Sequence, residues 1–123
     1  MKNTIGFTLI ELLVAIAIVA MLATIAYPSY RAYLINARRG EAKTELIKAQ
    51  LKQTSLHILN PSYSDDESKL GLTNSNYYSF LVASASNTTY SIQAIAKGTQ
   101  AEDAGCGTLS VDQDSNFTPI DCW

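Results

Sequence analysis

Apolar side chains fill almost every position of residues 7–27, and no formal charge occurs in residues 12–30. A helix needs about 20 apolar residues to cross the roughly 30 Å of hydrocarbon in a bilayer. Isoleucine, valine, alanine and leucine would cover this helix on every side, so lipid or similar helices must surround it. The pattern therefore predicts a transmembrane helix over residues 7–30.

Beyond residue 31 the apolar positions become periodic, as on an amphipathic helix that continues to about residue 59. One apolar stripe has a spacing near 3.6 residues and is flanked by three further apolar residues, whereas the charged side chains lie elsewhere. The stripe consists of Ala42, Leu46, Ala49 and Leu56, the flanking residues are Ile47, Leu51 and Ile58, and the charged residues are Glu41, Lys43, Glu45, Lys48 and Lys52. The stripe is expected to pack on a sheet, and the charged face is expected to be solvated.

Two residues weaken the helical pattern. Pro28 has no N–H, and its ring crowds the carbonyl of Thr24, which predicts a kink or local melting over residues 20–28. Gly40 is about 1 kcal/mol less favourable than alanine inside a helix and marks a second weak point. A bend where the chain leaves the membrane is the simplest consequence of Pro28.

The remainder of the chain is predicted to form a loop and a small sheet. Residues 60–76 are rich in polar and turn-forming side chains, which indicates a connecting loop. Alternating apolar residues then predict short strands. These strands are residues 77–85, residues 90–98, a third around Leu109 and Val111, and a fourth over residues 117–120, where Pro119 indicates a sheet edge. The predicted fold class is α+β, with one long N-terminal helix packed on an antiparallel sheet of three to four strands.

The chain has two cysteines, Cys106 and Cys122, both in the part that would lie outside the cytoplasm. A disulfide that closes a loop of about 15 residues stabilises a domain by roughly 3 kcal/mol in the chain-entropy model. Free thiols or half of a metal site are the alternatives, but no nearby histidine or third cysteine completes a ligand set. We therefore expect a C-terminal disulfide loop that supplements a small core.

The residues ahead of the apolar segment do not follow the order of a secretory signal sequence, whose small residues mark a cleavage site after the apolar stretch. Here the small residue, Gly6, precedes that stretch, and Lys2 is the single basic residue before it. Cleavage after Gly6 would remove residues 1–6. It would leave the apolar segment on the mature chain, with a new amine on Phe7.

Glu11 places an acid just inside the apolar segment. On membrane-insertion scales, placing a charged side chain at the bilayer centre costs roughly 2.5 to 3.5 kcal/mol, and this cost decreases near the interface. Three interpretations are open. The carboxylate could complement the helix macrodipole, or it could pair with the amine of its own Phe7 one turn away. In the third interpretation it pairs with the amine of a neighbouring chain and sets a fixed stagger between subunits.

The segment "GFTLIELLVAIAIVAMLATIAYPSY" resembles the N-terminal signature of type IV pilins: a leader ending in glycine, then phenylalanine, a Thr-Leu-x-Glu block and a long apolar helix. The resemblance implies that a prepilin peptidase cuts after Gly6 and N-methylates Phe7. It also implies that Glu11 neutralises the N-terminal amine of an adjacent subunit as a filament grows. By the same resemblance, the helix turn near Pro28 unwinds when helices bundle in the filament.

The other end of the chain, "KGTQAEDAGCGTLSVDQDSNFTPIDCW", is similar to the tail of PilE-type minor pilins, in which Cys-Gly-Thr-Leu begins a strand and Cys-Trp ends or nearly ends the chain. This chain departs from the pattern in its last hairpin, where Asp114-Ser115-Asn116 replaces the usual glycine. The resemblance implies three segments: a leader over residues 1–6, a transmembrane and filament-core helix over residues 7–30, and a globular pilin domain over residues 31–123.

One spacing in the sequence suggests a metal ligand set. Asp112, Asp114 and Asn116 alternate as the first ligands of a calcium loop do, and oxygen donors are what calcium prefers. However, Phe117 stands where that loop needs glycine, and Trp123 stands where it needs glutamate. We therefore expect a hairpin turn here, and neither a metal nor a cofactor is expected anywhere in the chain.

The expected function is structural. The resemblance implies a type IV pilus subunit, of the minor pilin type, that is processed by prepilin peptidase and assembled through its apolar helix for adhesion, twitching motility or DNA uptake. The implied partners are other pilin subunits, the peptidase, the inner-membrane assembly machinery and, before assembly, the membrane. The implied location is the inner membrane, as a single-pass protein, and then the extracellular pilus.

Enzymatic activity is not expected, because no serine or cysteine motif accompanies the single histidine, His57. Two other functions remain open. A module displayed near the pilus tip that binds DNA or a surface would use Lys69, Lys97 and the C-terminal loop, although the net charge of −2 indicates no general affinity for nucleic acid. A pseudopilin of a type II secretion system shares the N-terminal signature, but the Cys-Trp ending favours a pilin by resemblance.

Overall fold

The computed structural model describes Met1 and residues 6–123. The predicted leader falls mostly on residues 2–5, which lie outside the described residues. These described residues form one α-helix, four strands and two short 3₁₀ helices, and the chain divides into two compact units, Met1–Leu34 and Ile35–Trp123. The elements are α1 (Leu9–Leu59), β1 (Tyr78–Ala85), β2 (Tyr90–Ala96), a 3₁₀ helix (Gly98–Glu102), β3 (Thr108–Asp112), β4 (Phe117–Thr118) and a second 3₁₀ helix (Ile120–Cys122).

In the first unit, α1 begins at Leu9, and every side chain from residue 6 to residue 33 is exposed. By length and composition this part of α1 is able to cross a membrane, as predicted. The helix continues through Pro28, and the hydroxyls of Thr24 and Ser29 donate to the carbonyls of Met21 and Ile25 at 2.7 and 3.3 Å. The predicted kink at Pro28 stays a prediction.

The second unit contains the sheet, a meander in the order β1-β2-β3-β4 with every neighbouring pair antiparallel. This arrangement confirms the predicted α+β fold class. The predicted fourth strand was too long, because it ends at Thr118 and Ile120 already belongs to a 3₁₀ helix. Pro119 has no N–H to extend the ladder, and β4 lies at the sheet edge as its proline indicated.

The core lies between the sheet and the second half of α1. The predicted helical stripe is confirmed, since Ala42, Leu46 and Ala49 are at most 2% exposed and Leu56 is partly buried against the same cluster. The facing strand residues alternate as expected for a sheet with one covered side. They are Tyr78 and Phe80 of β1, Tyr90, Ile92 and Ala94 of β2, and Leu109 and Val111 of β3.

The three apolar residues predicted to flank this stripe lie elsewhere. Ile47, Leu51 and Ile58 are 42%, 67% and 79% exposed, so that prediction was wrong. On a helix of 3.6 residues per turn these positions point away from the sheet-facing stripe. Apolar character alone did not distinguish the buried face from the exposed one.

The position that completes the buried stripe is polar. Gln53 is fully buried, and its side chain forms two hydrogen bonds with the backbone of Ser64: Oε1 accepts from the Ser64 N–H at 2.8 Å, and Nε2 donates to the Ser64 carbonyl at 2.7 Å. These bonds satisfy a buried amide and fix the start of the loop over residues 60–76. That loop contains turns and no helix or strand, as predicted.

Candidate assembly and surface sites

The N-terminus of α1 is closed by a reciprocal pair, Thr8 and Glu11. Glu11 Oε2 accepts hydrogen bonds from the Thr8 backbone N–H and from the Thr8 hydroxyl, both at 2.8 Å, and the Glu11 N–H donates to Thr8 Oγ1 at 3.3 Å. The first helical bond runs from the Leu12 N–H to the Thr8 carbonyl at 3.2 Å. This arrangement is a capping box, in which a threonine N-cap and a glutamate three residues later satisfy each other's backbone donors.

The capping box gives Glu11 a local role that none of the three sequence interpretations included. The signal was present in the sequence as Thr-x-x-Glu directly before an apolar run. Both bonds from Thr8 end on Oε2, and a carboxylate has acceptor capacity on each of its two oxygens. Capping therefore leaves capacity at Oε1 for a further donor.

The predicted processing site precedes the helix. Gly6 and Phe7 are both exposed, Phe7 to 93%, and neither is part of α1, which begins at Leu9. An exposed backbone outside regular structure is the kind of segment that a protease can bind. Cleavage after Gly6 and methylation of Phe7 stay predictions.

The predicted disulfide is formed between Cys106 and Cys122, with a sequence separation of 16. Both cysteines are buried, so the bridge closes the C-terminal loop against the core. The guanidinium of Arg39 on α1 reaches the same place, because Nη1 donates to Cys106 Sγ at 3.2 Å. One arginine thus joins the helix to the disulfide loop.

Arg39 also forms an ion pair with Asp103, three residues before Cys106. Its Nε lies 3.0 Å from Asp103 Oδ2, with side-chain exposures of 17% and 8%. These two atoms lie within ion-pair distance but do not have the geometry of a hydrogen bond. The contact is therefore an electrostatic attraction between two partly buried charged groups. Nη2 donates to Asn36 Oδ1 at 2.5 Å. Sequence reasoning missed this network, because Asp103 and Cys106 are far from Arg39 in the chain.

The last hairpin is organised by the Asp112 carboxylate. It accepts from the Asp114 N–H at 2.9 Å, from the Asn116 N–H at 3.0 Å and from Asn116 Nδ2 at 2.9 Å. These bonds, the one from the Asn116 side chain foremost, lower the pKa of Asp112, and burial opposes them. Ser115 adopts a φ of 60° and so takes the conformation that glycine usually supplies in this turn.

The expectation of a turn at these residues is confirmed. In a calcium loop the Asp112 carboxylate would bind the ion. Here it accepts hydrogen bonds from Asp114 and Asn116 of the turn. Across Met1 and residues 6–123, the structure gathers no group of three His, Cys, Asp or Glu side chains that could hold a metal ion.

The single histidine is part of an aromatic cluster. The rings of His57 and Tyr63 stack with centroids 3.9 Å apart, and Tyr63 meets Tyr90 edge-on at 4.7 Å. This packing joins the end of α1 to the loop and to β2. A structural role accounts for His57.

The two lysines proposed for a DNA-binding surface belong to different segments of the second unit. Lys69 lies in the loop over residues 60–76, where its ammonium is 3.9 Å from Asp66 Oδ2. Lys97 directly follows β2, and its backbone N–H donates to the Tyr77 carbonyl. Lys43 of α1 places a basic group near the C-terminal residue, since its ammonium lies 5.8 Å from the ring centroid of Trp123. Burial lowers the pKa of Lys43, assisted by Arg39 and opposed by Asp103.

An open cleft of about 410 Å³ lies between α1 and the segment that leads into β1. Its lining includes Glu41, Glu45, Tyr78 and Phe80, and the guanidinium of Arg38 stacks over the Tyr77 ring at 3.7 Å. The side chains mix both charge signs with aromatic rings.

Comparison with known proteins identifies the family. Residues 1–27 match the prokaryotic N-terminal methylation motif, and residues 28–110 match the family described as "Type IV minor pilin ComP, DNA uptake sequence receptor". This chain belongs to that family of type IV pilins. The pilin is 31% identical over 111 residues to the type IV major alpha-pilin of Moraxella bovis, covering 85% of this chain and 65% of that protein. It is 35% identical over 82 residues to the type IV major pilin PilA of Myxococcus xanthus, covering 65% of this chain and 37% of that protein.

Solved pilin structures share the fold. A type IV pilin from Shewanella oneidensis superimposes with a TM-score of 0.61 at 29% identity, covering 72% of this pilin and 97% of that chain. The Neisseria meningitidis minor pilin PilV superimposes with a TM-score of 0.58 at 15% identity, covering 70% and 86%, and supports the fold alone. The pilin spans only 37% to 65% of the length of the two curated relatives.

Family membership confirms three predictions. The resemblance to type IV pilins was correct, and so was the expectation of a structural protein and not an enzyme. The methylation motif and the apolar helix fit a pilin that is anchored in the membrane and is assembled into an extracellular pilus. The boundaries of the segments and the roles of Gly6, Phe7, Glu11 and Pro28 stay predictions.

Proposed function

We propose that this pilin is a filament subunit that is cleaved after Gly6, methylated on Phe7 and packed into a type IV pilus through residues 7–30. The observation that carries the proposal is the first unit of the fold, in which an apolar helix exposes its side chains from residue 9 to residue 33 and has an acid, Glu11, in its first turn. Outside the bilayer, only similar apolar surfaces can cover such a helix. The domain over residues 31–123 then forms the outer part of the filament.

Glu11 gives this assembly its register. A carboxylate in apolar surroundings is costly unless it is paired, and a pair that forms only between correctly staggered subunits selects one arrangement. The methylated amine of a neighbouring Phe7 is the donor that we assign to Glu11 Oε1, while Oε2 stays in the capping box. The proposed partners are other pilin subunits, the prepilin peptidase and the inner-membrane assembly machinery.

The test is the identity of the first residue in assembled material. Filaments sheared from cells that express this pilin should contain a chain that begins with N-methylated Phe7, detected by intact-mass and N-terminal peptide measurements. A chain in those filaments that still begins at Met1, or that has lost the apolar helix, would contradict the proposal. So would absence of the chain from filaments that other pilins build.

The match to a family described as a DNA uptake sequence receptor favours one specific second function, DNA binding by the assembled pilin. Lys69, Lys97 and the C-terminal loop are the proposed contacts. The overall balance of 9 basic against 11 acidic residues means that binding must come from a local patch and not from net charge.

Binding through phosphate contacts weakens steeply with salt, since each contact releases a counterion. We expect the full-length pilin in detergent to bind duplex DNA at low ionic strength, and Lys97→Gln to weaken binding several-fold. Lys48→Gln is the matched control, because the Lys48 ammonium already pairs with Glu45 at 2.8 Å. The absence of binding at low salt, or equal effects of both substitutions, would remove this function.

A further inference from the structure

Strand β1 forms one edge of the sheet, and its own sequence does little to protect that edge. Edge strands expose unpaired backbone groups that can pair with another chain, and charged residues or proline usually block such pairing. β1 has eight residues, Tyr-Ser-Phe-Leu-Val-Ala-Ser-Ala, without charge or proline, whereas β4 at the opposite edge has only two. A register shift between Val82 and Ser84 interrupts the second part of β1. The regular part of this edge, residues 78–82, is therefore open unless another segment covers it.

The loop over residues 60–76 covers the regular part of the β1 edge with side-chain acceptors. In an antiparallel ladder every second residue directs its N–H away from the partner strand. The three outward amides donate to three different side chains of the loop: Tyr78 N–H to Ser75 Oγ at 3.0 Å, Phe80 N–H to Asn74 Oδ1 at 2.8 Å, and Val82 N–H to Glu67 Oε1 at 3.3 Å. Glu67, Asn74 and Ser75 are the edge acceptors. They occupy the donors that an incoming strand would need.

The edge acceptors are held more weakly than the loop that carries them. All three residues are exposed, and the loop adds no strand to the sheet, so water competes with each acceptor for its amide. The loop itself is anchored elsewhere, because Leu70 is buried in the core and Gln53 bonds both backbone groups of Ser64. Loss of the edge acceptors would therefore uncover β1 and leave the loop attached.

We propose that the edge acceptors form a latch that masks the β1 edge, and that a pilin with an open latch pairs through this edge with β1 of a second copy. Two observations assign the second copy as the partner. Identical strands without charge place no like charges opposite one another, and anchoring in one membrane keeps copies of this domain at a high local concentration. The inference concerns the sheet alone and goes beyond the proposed function.

Two double variants of the full-length pilin isolate the latch. Glu67→Ala with Asn74→Ala removes two of the three edge acceptors, and Ser75 is kept because its hydroxyl also accepts from the Tyr77 N–H at 3.2 Å. Glu67→Gln with Asn74→Asp is the matched control, since it keeps an acceptor oxygen at each position and leaves the net charge unchanged. Asp65→Ala, an exposed residue of the same loop, controls for the lost negative charge.

Amide hydrogen exchange tests whether the latch covers the edge. In detergent, at fewer than one copy per micelle, the amides of Phe80 and Val82 should exchange at least ten times faster in the double alanine variant than in the unmodified pilin. In both controls they should stay within twofold of the unmodified pilin. The amide of Ile92, which is fully buried in β2, should stay within twofold in every variant and so report an intact fold.

Photocrosslinking tests which partner the open edge takes. Benzoylphenylalanine replaces Ser79, which lies on the side of β1 away from the core, between Tyr78 and Phe80. Labelled and unlabelled copies are mixed in liposomes at high density and irradiated, and the adducts between copies are mapped by mass spectrometry. The double alanine variant should give at least five times more adducts to residues 78–82 of another copy than the unmodified pilin or either control.

Several results would overturn the latch. Unchanged exchange at Phe80 and Val82, or equal gains in the matched control, would show that the edge acceptors do not mask β1. Faster exchange without more adducts to residues 78–82 would remove the second copy as the partner. If the double alanine variant loses protection at Ile92, the single variant Glu67→Ala decides: exchange at Val82 should rise at least threefold, and no rise there would refute the latch.

Discussion

Removing the disulfide by the double substitution Cys106→Ser and Cys122→Ser is expected to lower the free energy of unfolding by about 3 kcal/mol. The bridge spans a separation of 16 residues, and closing a loop of that size restricts the unfolded chain by roughly this amount. A small domain has a total stability of only about 5–15 kcal/mol, so the loss is a large fraction of it. The double variant avoids a lone thiol that could exchange.

The loss should be largest near the C-terminus. β4 has two residues and the 3₁₀ helix that follows has three, so local structure alone holds this segment weakly. Arg39 would also lose its contact with Cys106 Sγ, although its ion pair with Asp103 would remain. The disulfide is therefore expected to keep the last residues packed on the core.

The chain contains one tryptophan, Trp123, whose ring lies 4.5 Å from that of Phe117. Its fluorescence therefore reports directly on the C-terminal loop. Guanidinium titrations of the full-length pilin in detergent, followed by this signal and by circular dichroism, would measure the change. Ser62→Ala, in the loop over residues 60–76, is a suitable control with an expected effect within about 0.5 kcal/mol. A disulfide effect below about 1 kcal/mol would contradict the prediction.

The second large effect is expected at Glu11. Replacing it with alanine should leave membrane insertion intact and reduce the amount of pilin in filaments tenfold or more. Each factor of ten corresponds to about 1.4 kcal/mol. Removing one member of a desolvated, hydrogen-bonded charge pair typically costs about 2–5 kcal/mol, which is more than a capping interaction supplies.

Three variants separate the two roles of this carboxylate. Glu11→Ala removes the capping bond and the charge together. Glu11→Gln keeps an acceptor for the Thr8 N–H and so preserves the capping box, but it removes the charge. Thr8→Ala removes the hydroxyl that bonds Glu11 Oε2 and leaves the charge in place.

If the charge pairs with a neighbouring amine, both Glu11 variants should assemble poorly and Thr8→Ala should assemble almost normally. The measurement is the ratio of pilin in the sheared filament fraction to pilin in the membrane fraction. Normal assembly of Glu11→Gln together with a defect in Thr8→Ala would assign Glu11 to capping alone. That outcome would remove its proposed role between subunits.

Much of the fold was predictable because it depends on local pattern. The helical stripe of Ala42, Leu46 and Ala49, the loop over residues 60–76 and the meander of strands all follow from spacing and turn chemistry. The prediction for the flanking residues was wrong because buried and exposed positions of the helix are equally apolar. Ile47, Leu51 and Ile58 are as apolar as the buried positions, and only the location of the sheet shows that they are exposed.

The missed site residues divide in the same way. The capping box joins Thr8 and Glu11, which are three positions apart, and its signal was readable in the sequence. The only sequence signal for Gln53 was a polar residue at a stripe position, and its partner Ser64 is eleven residues away. Arg39 carried no signal, because its partners Asp103 and Cys106 are more than sixty residues away.

By itself, the sequence determined the apolar segment, the amphipathic continuation of the helix, the order of the strands and the cysteine pair, since these follow from length, period and composition. Only the tertiary structure decided which polar groups are buried with partners, and that Ile47, Leu51 and Ile58 lie on an exposed face of the second half of α1. The physical reason is that burial and hydrogen bonding depend on surfaces brought together from distant parts of the chain, whereas propensity and period act within a few residues.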